Sequence, residues 1–424
     1  MNIKRHACVV LAICFLVSGC GGGGSSNSDS GVAAAYNYFP GRQVAFTQTS
    51  GKVVGGYLYN GAIAGGYDLS LLPADSLTHM LYAFLTICGP GQSTSDTTVC
   101  AGKTDFELAA DGSTVDNTYN TAFLTLKQRA PNIKILASIG GGGGSNPFFY
   151  MAGDSAKRAV FINSVVSWLN SHTAFDGVDI DWEAPTDNYG QGGIQLGSVG
   201  DGQSYVDLLH DLRTALDQLG ITNGRQYQLT SAVITYNPLV TAINYAAAQV
   251  YVDYFFAMTY DYFGSWSSTV GHHASLYPST SQFGIQTLID AGVPRSKLVQ
   301  GAAMYSRGWG ACTDDTNPMQ GTGNSAYNGG DGTEVYSTLA TGYLNSSGNG
   351  INGYQVRYDS TLHAYYLWNA TTFTFIGYDD PRAVVEKGQY VVSQNLAGIF
   401  AWQLTGDNGD ILSAMNHGVG NTQQ

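Results

Sequence analysis

Residues 176 to 183 read Asp-Gly-Val-Asp-Ile-Asp-Trp-Glu, a segment that few folds can house. Val178, Ile180 and Trp182 are apolar while Asp179, Asp181 and Glu183 fall two residues apart, so on a β-strand the three carboxyls line one face. Successive carboxyls there stand roughly 6 to 7 Å apart at Cα. Once water is thinned out their ionisation is coupled, and at least one should hold a proton near neutral pH. The plain alternatives are a solvated strand edge or a calcium loop. The latter needs a Gly turn and a Glu at its twelfth position, whereas bulky Ile180 and Trp182 interleave here.

The acidic strand is one of a series. Short apolar or β-branched runs at 53–59, 78–85, 134–139, 177–182, 228–234, 254–259, 298–304 and 398–403 are predicted strands. Helical spacing at 156–171 and 204–219 lies between them, the second placing Tyr205, Leu208, Leu209, Leu212, Leu216 and Leu219 on one face. Eight parallel strands with crossover helices predict an α/β TIM barrel, whose chemistry belongs at the C-terminal ends of the strands. The stretch 311–378 breaks the rhythm: it is rich in Gly, Asn, Thr and Tyr, and alternation over 364–377 predicts a hairpin.

Asp-x-x-Asp-x-Asp-x-Glu, filled by Asp176, Asp179, Asp181 and Glu183, resembles the signature of glycoside hydrolase family 18, the chitinases. Other segments resemble that family in its own order: Ser138-Ile139-Gly140-Gly141 after the third strand, Met258-Thr259-Tyr260-Asp261 after the sixth, Met304 to Trp309 at the seventh and Ala401-Trp402 at the eighth. Tyr378-Asp379-Asp380-Pro381 fits the bacterial chitinase A type, and the resemblance spans about 50 to 415. It implies that 311–378 is a small α+β insertion between strand seven and the last helix, walling a chitin cleft, with the barrel occupying 51–310 and 379–415.

The resemblance also implies roles. Two carboxyl groups ordinarily cleave a glycosidic bond, but in this family the sugar's own 2-acetamido oxygen is the nucleophile. Glu183 is then the general acid and base, with a pKa raised by Asp181 and partial burial. Asp181 orients the acetamido N–H, Asp179 shares a proton with it, and Tyr260 donates to the acetamido oxygen. Asp261, Met258, Trp402, Arg307, Tyr57 and Phe84 become substrate-binding residues, Trp402 as the floor under the reacting sugar. Asp176, Ser138, Gly140 and Gly141 support the motif, and Trp309 is packing.

The ends carry separate information. Lys4 and Arg5 precede an apolar run from Ala7 to Val17, too short to span a bilayer and shaped like a secretory signal. Val17-Ser18-Gly19-Cys20 resembles a bacterial lipobox, making 1–19 a signal peptide, Cys20 a lipidation site and 20–50 a Gly/Ser-rich tether and lead-in. A plain signal peptide is the alternative. Residues 416–424 are a polar tail. The predicted product is exported, bound to a membrane only through Cys20, and monomeric. A formal charge of −13 disfavours nucleic acid and suits a neutral glycan such as chitin or chitooligosaccharide.

Outside the leader and Cys20 only Cys88, Cys100 and Cys312 remain. A pair like Cys88 and Cys100 occurs in chitinase A-type proteins, so these are expected to bond and Cys312 to stay free. No zinc spacing is present, adjacent His272 and His273 point apart on a strand, and no cofactor is expected. Gly140 to Gly144 imitates a phosphate loop but lacks Gly-Lys-Ser/Thr, and no Gly-x-Ser-x-Gly occurs.

The chain departs from the chitinase A pattern in two places: Gly142 stands where a Trp usually follows Ser-x-Gly-Gly, and an aromatic is missing within 60–64. Each lost platform weakens binding of long chains by about 1 kcal/mol. Two rival functions remain, an endo-β-N-acetylglucosaminidase acting on glycoprotein glycans and a silent chitin-binding lectin; the latter would ordinarily lack the acid.

Overall fold

Every predicted strand forms, with ends within two residues of those expected: β1 Val53–Tyr59, β2 His79–Ile87, β3 Lys134–Gly140, β4 Gly177–Asp181, β5 Gln228–Ile234, β6 Tyr254–Met258, β7 Leu298–Ala303 and β8 Gly398–Trp402. This computed structural model describes residues 36–424, apart from 64, 110–112, 278–279, 324–326 and 329. The leader and Cys20 lie outside the described residues, and the fold below is that of the unit Tyr38–Gln424.

All barrel pairings are parallel and follow the order β1-β8-β7-β6-β5-β4-β3-β2, with β1 against β2 closing the ring. Closure leaves the barrel strands no free edge, and alternate residues point inward. Val53, Tyr57, Leu81, Ala83, Phe256, Val299 and Phe400 fill the lower interior. On β4 the same alternation sends Asp179 and Asp181 inward and Trp182 outward, where it stacks on Phe148 at 5.3 Å.

The flanking helices form where periodicity predicts them. Asp154 caps Ser155–Ser171, its Oδ1 accepting from the Ala156 and Lys157 N–H groups at 2.9 and 3.2 Å. Asp201–Asn223 buries Tyr205, Leu208, Leu209, Leu212 and Leu216 against the barrel and ends at Gly224 with φ +64. Each buried Leu contributes roughly 1.5–3 kcal/mol. Among the described residues no helix is long and apolar enough to cross a membrane.

The irregular stretch after β7 folds as a four-stranded antiparallel sheet ordered Ser306–Trp309, Thr374–Tyr378, Ala364–Asn369, Gln355–Asp359. The expected hairpin is its 364–378 portion. The sheet starts upstream of residue 311, because Ser306–Trp309 leaves the barrel and pairs with Thr374–Tyr378. Trp309 is buried with Trp368, Phe375 and Cys312, so it is indeed packing. Cys88 and Cys100 are disulfide-bonded with Cα atoms 5.4 Å apart, and Cys312 is free and buried.

Candidate active site

The three carboxyls climb one face of β4 toward the barrel mouth, in environments that change with height. Asp179, fully buried, accepts from the Tyr57 hydroxyl at 2.9 Å and Ser138 at 2.7 Å on Oδ2, and from Thr230 at 2.7 Å on Oδ1. Burial pushes its pKa up, and these three hydroxyls oppose the rise. One step higher, Asp181 is also buried, and its Oδ1 has no hydrogen-bond partner among the described residues. Burial, then Glu183, then Asp179 drive its pKa well above the carboxylate range. All three causes favour its protonated form.

Glu183 opens onto the cleft yet is densely surrounded by protein. Burial first and Asp261 second raise its pKa to about 7, while the Gly142 backbone N–H pulls the other way. Asp261 is thus one charged neighbour that raises Glu183, and the mutual repulsion of Glu183 and Asp181 raises the pair.

Ser145 fixes the junction between strand and mouth. Its Oγ lies 2.8 Å from Gly141 O and 2.9 Å from Asp181 O, and it accepts the Glu183 N–H at 3.0 Å. Gly140 and Gly141, both at positive φ, allow this approach: a Cβ on Gly140 would stand 2.2 Å from Asp181 O, and one on Gly141 2.4 Å from the Phe84 ring.

Aromatic residues surround the carboxyls. Phe84 and Trp402 stack with centroids 5.5 Å apart, and Tyr57 lies 5.4 Å from Trp402. Tyr260 and Met258 pack on the barrel interior, and the bare Gly301 leaves room for the Tyr260 ring. Burial, then Asp181, Glu183 and Asp261 push the Tyr260 phenol far up, so it remains a donor. Three peptide bonds in this region are cis: Ala83–Phe84, Glu183–Ala184 and Trp402–Gln403.

Arg307 reaches in from the added sheet. Its Nε and Nη2 donate to both Asp261 oxygens at 2.9 Å, Nη1 donates to Thr333 at 2.6 Å, and its guanidinium lies 4.9 Å from the Trp266 ring. Burial would raise the Asp261 pKa, but His273 and Arg307 hold it far below the usual range. Arg307 therefore acts first as a clamp on Asp261. His272 and His273 do point apart, toward Tyr366 and Phe375 and toward Tyr305 respectively.

Asp176 is elsewhere. It precedes β4 at the barrel's N-terminal end, held by Lys127 at 2.5 Å, Arg225 at 2.8 Å and the Ile135 N–H at 2.9 Å. It does not join the carboxylate network the motif suggested, because an extended strand carries the two ends of the motif apart. A cavity of about 830 Å³ also lies at that end, but two of its charged side chains are already engaged: Arg213 with Asp217 at 2.7 Å and Arg225 with Asp176.

Residues 53–407 match the model of Glycosyl hydrolases family 18. The chain belongs to that family. Among similar proteins, chitinase A of Pseudoalteromonas piscicida is 37% identical, the alignment covering 87% of this chain and 52% of that protein. The chain thus spans about half the length of that relative. A chitinase of Autographa californica nuclear polyhedrosis virus is 34% identical over 86% of this chain and 72% of its own. In structure, a family 18 N-acetylglucosaminidase from Paenibacillus barengoltzii matches with a TM-score of 0.72 at 29% identity, over 87% of this chain and 99% of that one. A chitinase from Bacillus thuringiensis matches at 0.75 with 28% identity, over 87% and 69%.

Within this family 18 site, Ser145 and Thr230 were not singled out in the sequence, and His273 was weighed there only as half of a metal pair with His272. Ser145 follows the glycine run and Thr230 sits at an inward position of β5, so only strand register carried a signal for Thr230.

Proposed function

We propose that this family 18 glycoside hydrolase is a chitinase, cleaving β-1,4 bonds between N-acetylglucosamine units of chitin and chitooligosaccharides with retention. The observation that carries the reading is the ladder Asp179, Asp181, Glu183, ending at the barrel mouth in an acid whose pKa is raised to about 7. Such a group is protonated often enough to give a proton and ionised often enough to take one back.

In the first step the acetamido oxygen bonds to the anomeric carbon as the bond to the leaving oxygen breaks, and Glu183 delivers its proton to that oxygen. Asp181 accepts from the acetamido N–H, the proton it holds passing down toward Asp179, and so stabilises the oxazolinium charge. Tyr260 donates to the acetamido oxygen, and Trp402 with Phe84 forms the apolar floor. Water then attacks the anomeric carbon from the other face, giving its proton to Glu183 and reopening the ring. Asp261, clamped by Arg307, tunes the acid. The apolar run and the lipobox-like Val17-Ser18-Gly19-Cys20 support export with a lipid anchor.

The test is product analysis on the N-acetylglucosamine hexamer with wild type and Glu183→Gln, recording the anomer released first. β-Anomer products, slowed about 10²–10⁴-fold by the substitution, are expected. α-Anomer products would refute the mechanism, and a folded wild type that cleaves only glycoprotein glycans, or nothing, would refute the function. Intact mass of the exported protein tests Cys20: a thiol without lipid there removes the anchor.

A further inference from the structure

The side chain missing at residue 142 leaves a space beside the acid, and a neighbouring loop borders it. A Cβ on Gly142 would stand 3.7 Å from both Glu183 carboxyl oxygens and 3.7 Å from Gln191 Nε2. The Glu183 carboxyl and the Gln191 amide thus face the same small volume.

The loop that brings Gln191 there is held from within. Asn188 is fully buried; its Nδ2 donates to Asn146 Oδ1 at 2.9 Å and Ile194 O at 2.8 Å, and its Oδ1 accepts from the Gly190 and Leu196 N–H groups at 3.1 and 2.8 Å. Asn146 Nδ2 donates to the Gln191 carbonyl at 3.2 Å. The Gln191 backbone is pinned, yet its side-chain amide makes no hydrogen bond to a described residue. Fixing a backbone while leaving an amide unspent beside an acid is how a binding contact is pre-organised.

Tyr189, two residues before Gln191, and Tyr236 are 53% and 61% exposed. Burial first, then Asp187, Tyr236 and Glu183, push the Tyr189 phenol up to about 12. Phe84, Trp402 and Tyr260 surround Asp181, the pocket of the reacting sugar. Gln191 faces the volume beside the Glu183 carboxyl, the group that hands its proton to the departing oxygen.

Resting on the chitinase reading, we infer that Gln191 is a specificity-determining contact for the leaving N-acetylglucosamine unit. Its amide hydrogen-bonds that sugar, so a polar contact takes the place of stacking on residue 142. Recognition of the leaving group then depends on its hydroxyl and acetamido groups. A flat aryl leaving group has none of these.

The experiment compares wild type, Gln191→Ala and Gln191→Leu on the N-acetylglucosamine tetramer and on p-nitrophenyl di-N-acetylchitobioside, with thermal melting as the fold control. The ratio of kcat/KM on the tetramer to that on the aryl substrate is expected to fall about three- to tenfold, the scale of one hydrogen bond. Gln191→Glu provides a second readout: a carboxylate in this volume moves the alkaline limb of the pH profile upward on both substrates. An unchanged ratio with an unmoved limb overturns the assignment while leaving the chitinase reading intact. A folded wild type inactive on both substrates overturns the chitinase reading, and this inference with it.

Discussion

Asp176 and Glu183 belong to one eight-residue motif and stand at opposite ends of β4, about 23 Å apart along an extended chain. Between them the strand passes from an ion-paired floor to an acid at the mouth. The two ends answer to different measurements.

Asp176→Asn should therefore weaken the fold and spare the chemistry. Removing the carboxylate leaves Lys127 and Arg225 without their shared partner. Both cations keep some solvent contact, so the cost is about 2–3 kcal/mol, below that of breaking a fully buried pair. Denaturant melts should show this loss, while kcat/KM on a soluble oligomer at 25 °C stays within about twofold. A large loss of activity in folded protein would return Asp176 to the site.

The pH profile reads the other end of the strand. Glu183 must be protonated to act as the acid, so kcat/KM should fall as pH rises through about 7. Asp261→Asn removes a negative charge that raises this pKa, so the alkaline limb should move to lower pH. A limb that moves upward would contradict the placement of that charge.

Reductant should cost stability through one bond. The disulfide joins Cys88 and Cys100 across a separation of 12 residues, a loop whose closure is worth about 3 kcal/mol. Thermal melts of wild type should drop in dithiothreitol. The melting temperature of Cys88→Ser/Cys100→Ser should start low and not respond.

Gly141→Ala tests the stacked floor. At φ +79 the backbone disfavours a side chain, and the new methyl would meet the Phe84 ring at 2.4 Å, driving it off Trp402. Stability should fall by about 1–3 kcal/mol. KM for the hexamer should rise in the protein that remains folded, and an unchanged KM would remove Phe84 from the floor.

Much of the fold was readable because barrel strands are short, separate apolar runs and because Asp179, Asp181 and Glu183 keep period two. Tyr57 and Ser138 lie on other strands, and only closure of the ring brings both hydroxyls onto Asp179. Sequence adjacency misled twice. Asp176 looked like part of the site because it is close in the chain, and Arg307 looked like a barrel residue because it follows β7 closely. His273, near Asp261 and buried, has no periodic neighbour to announce it. The Gln191 loop was invisible for the same reason, since its shape depends on the buried Asn188.

The added sheet, the proposed wall of the cleft, also supplies Arg307, the cation that secures Asp261 beside the acid. Cleft depth and proton affinity are therefore inherited together. A chimaera that borrowed its wall from a relative would change the pH at which the enzyme works along with the polymer it can grip, unless the borrowed strand brought an arginine to the same place.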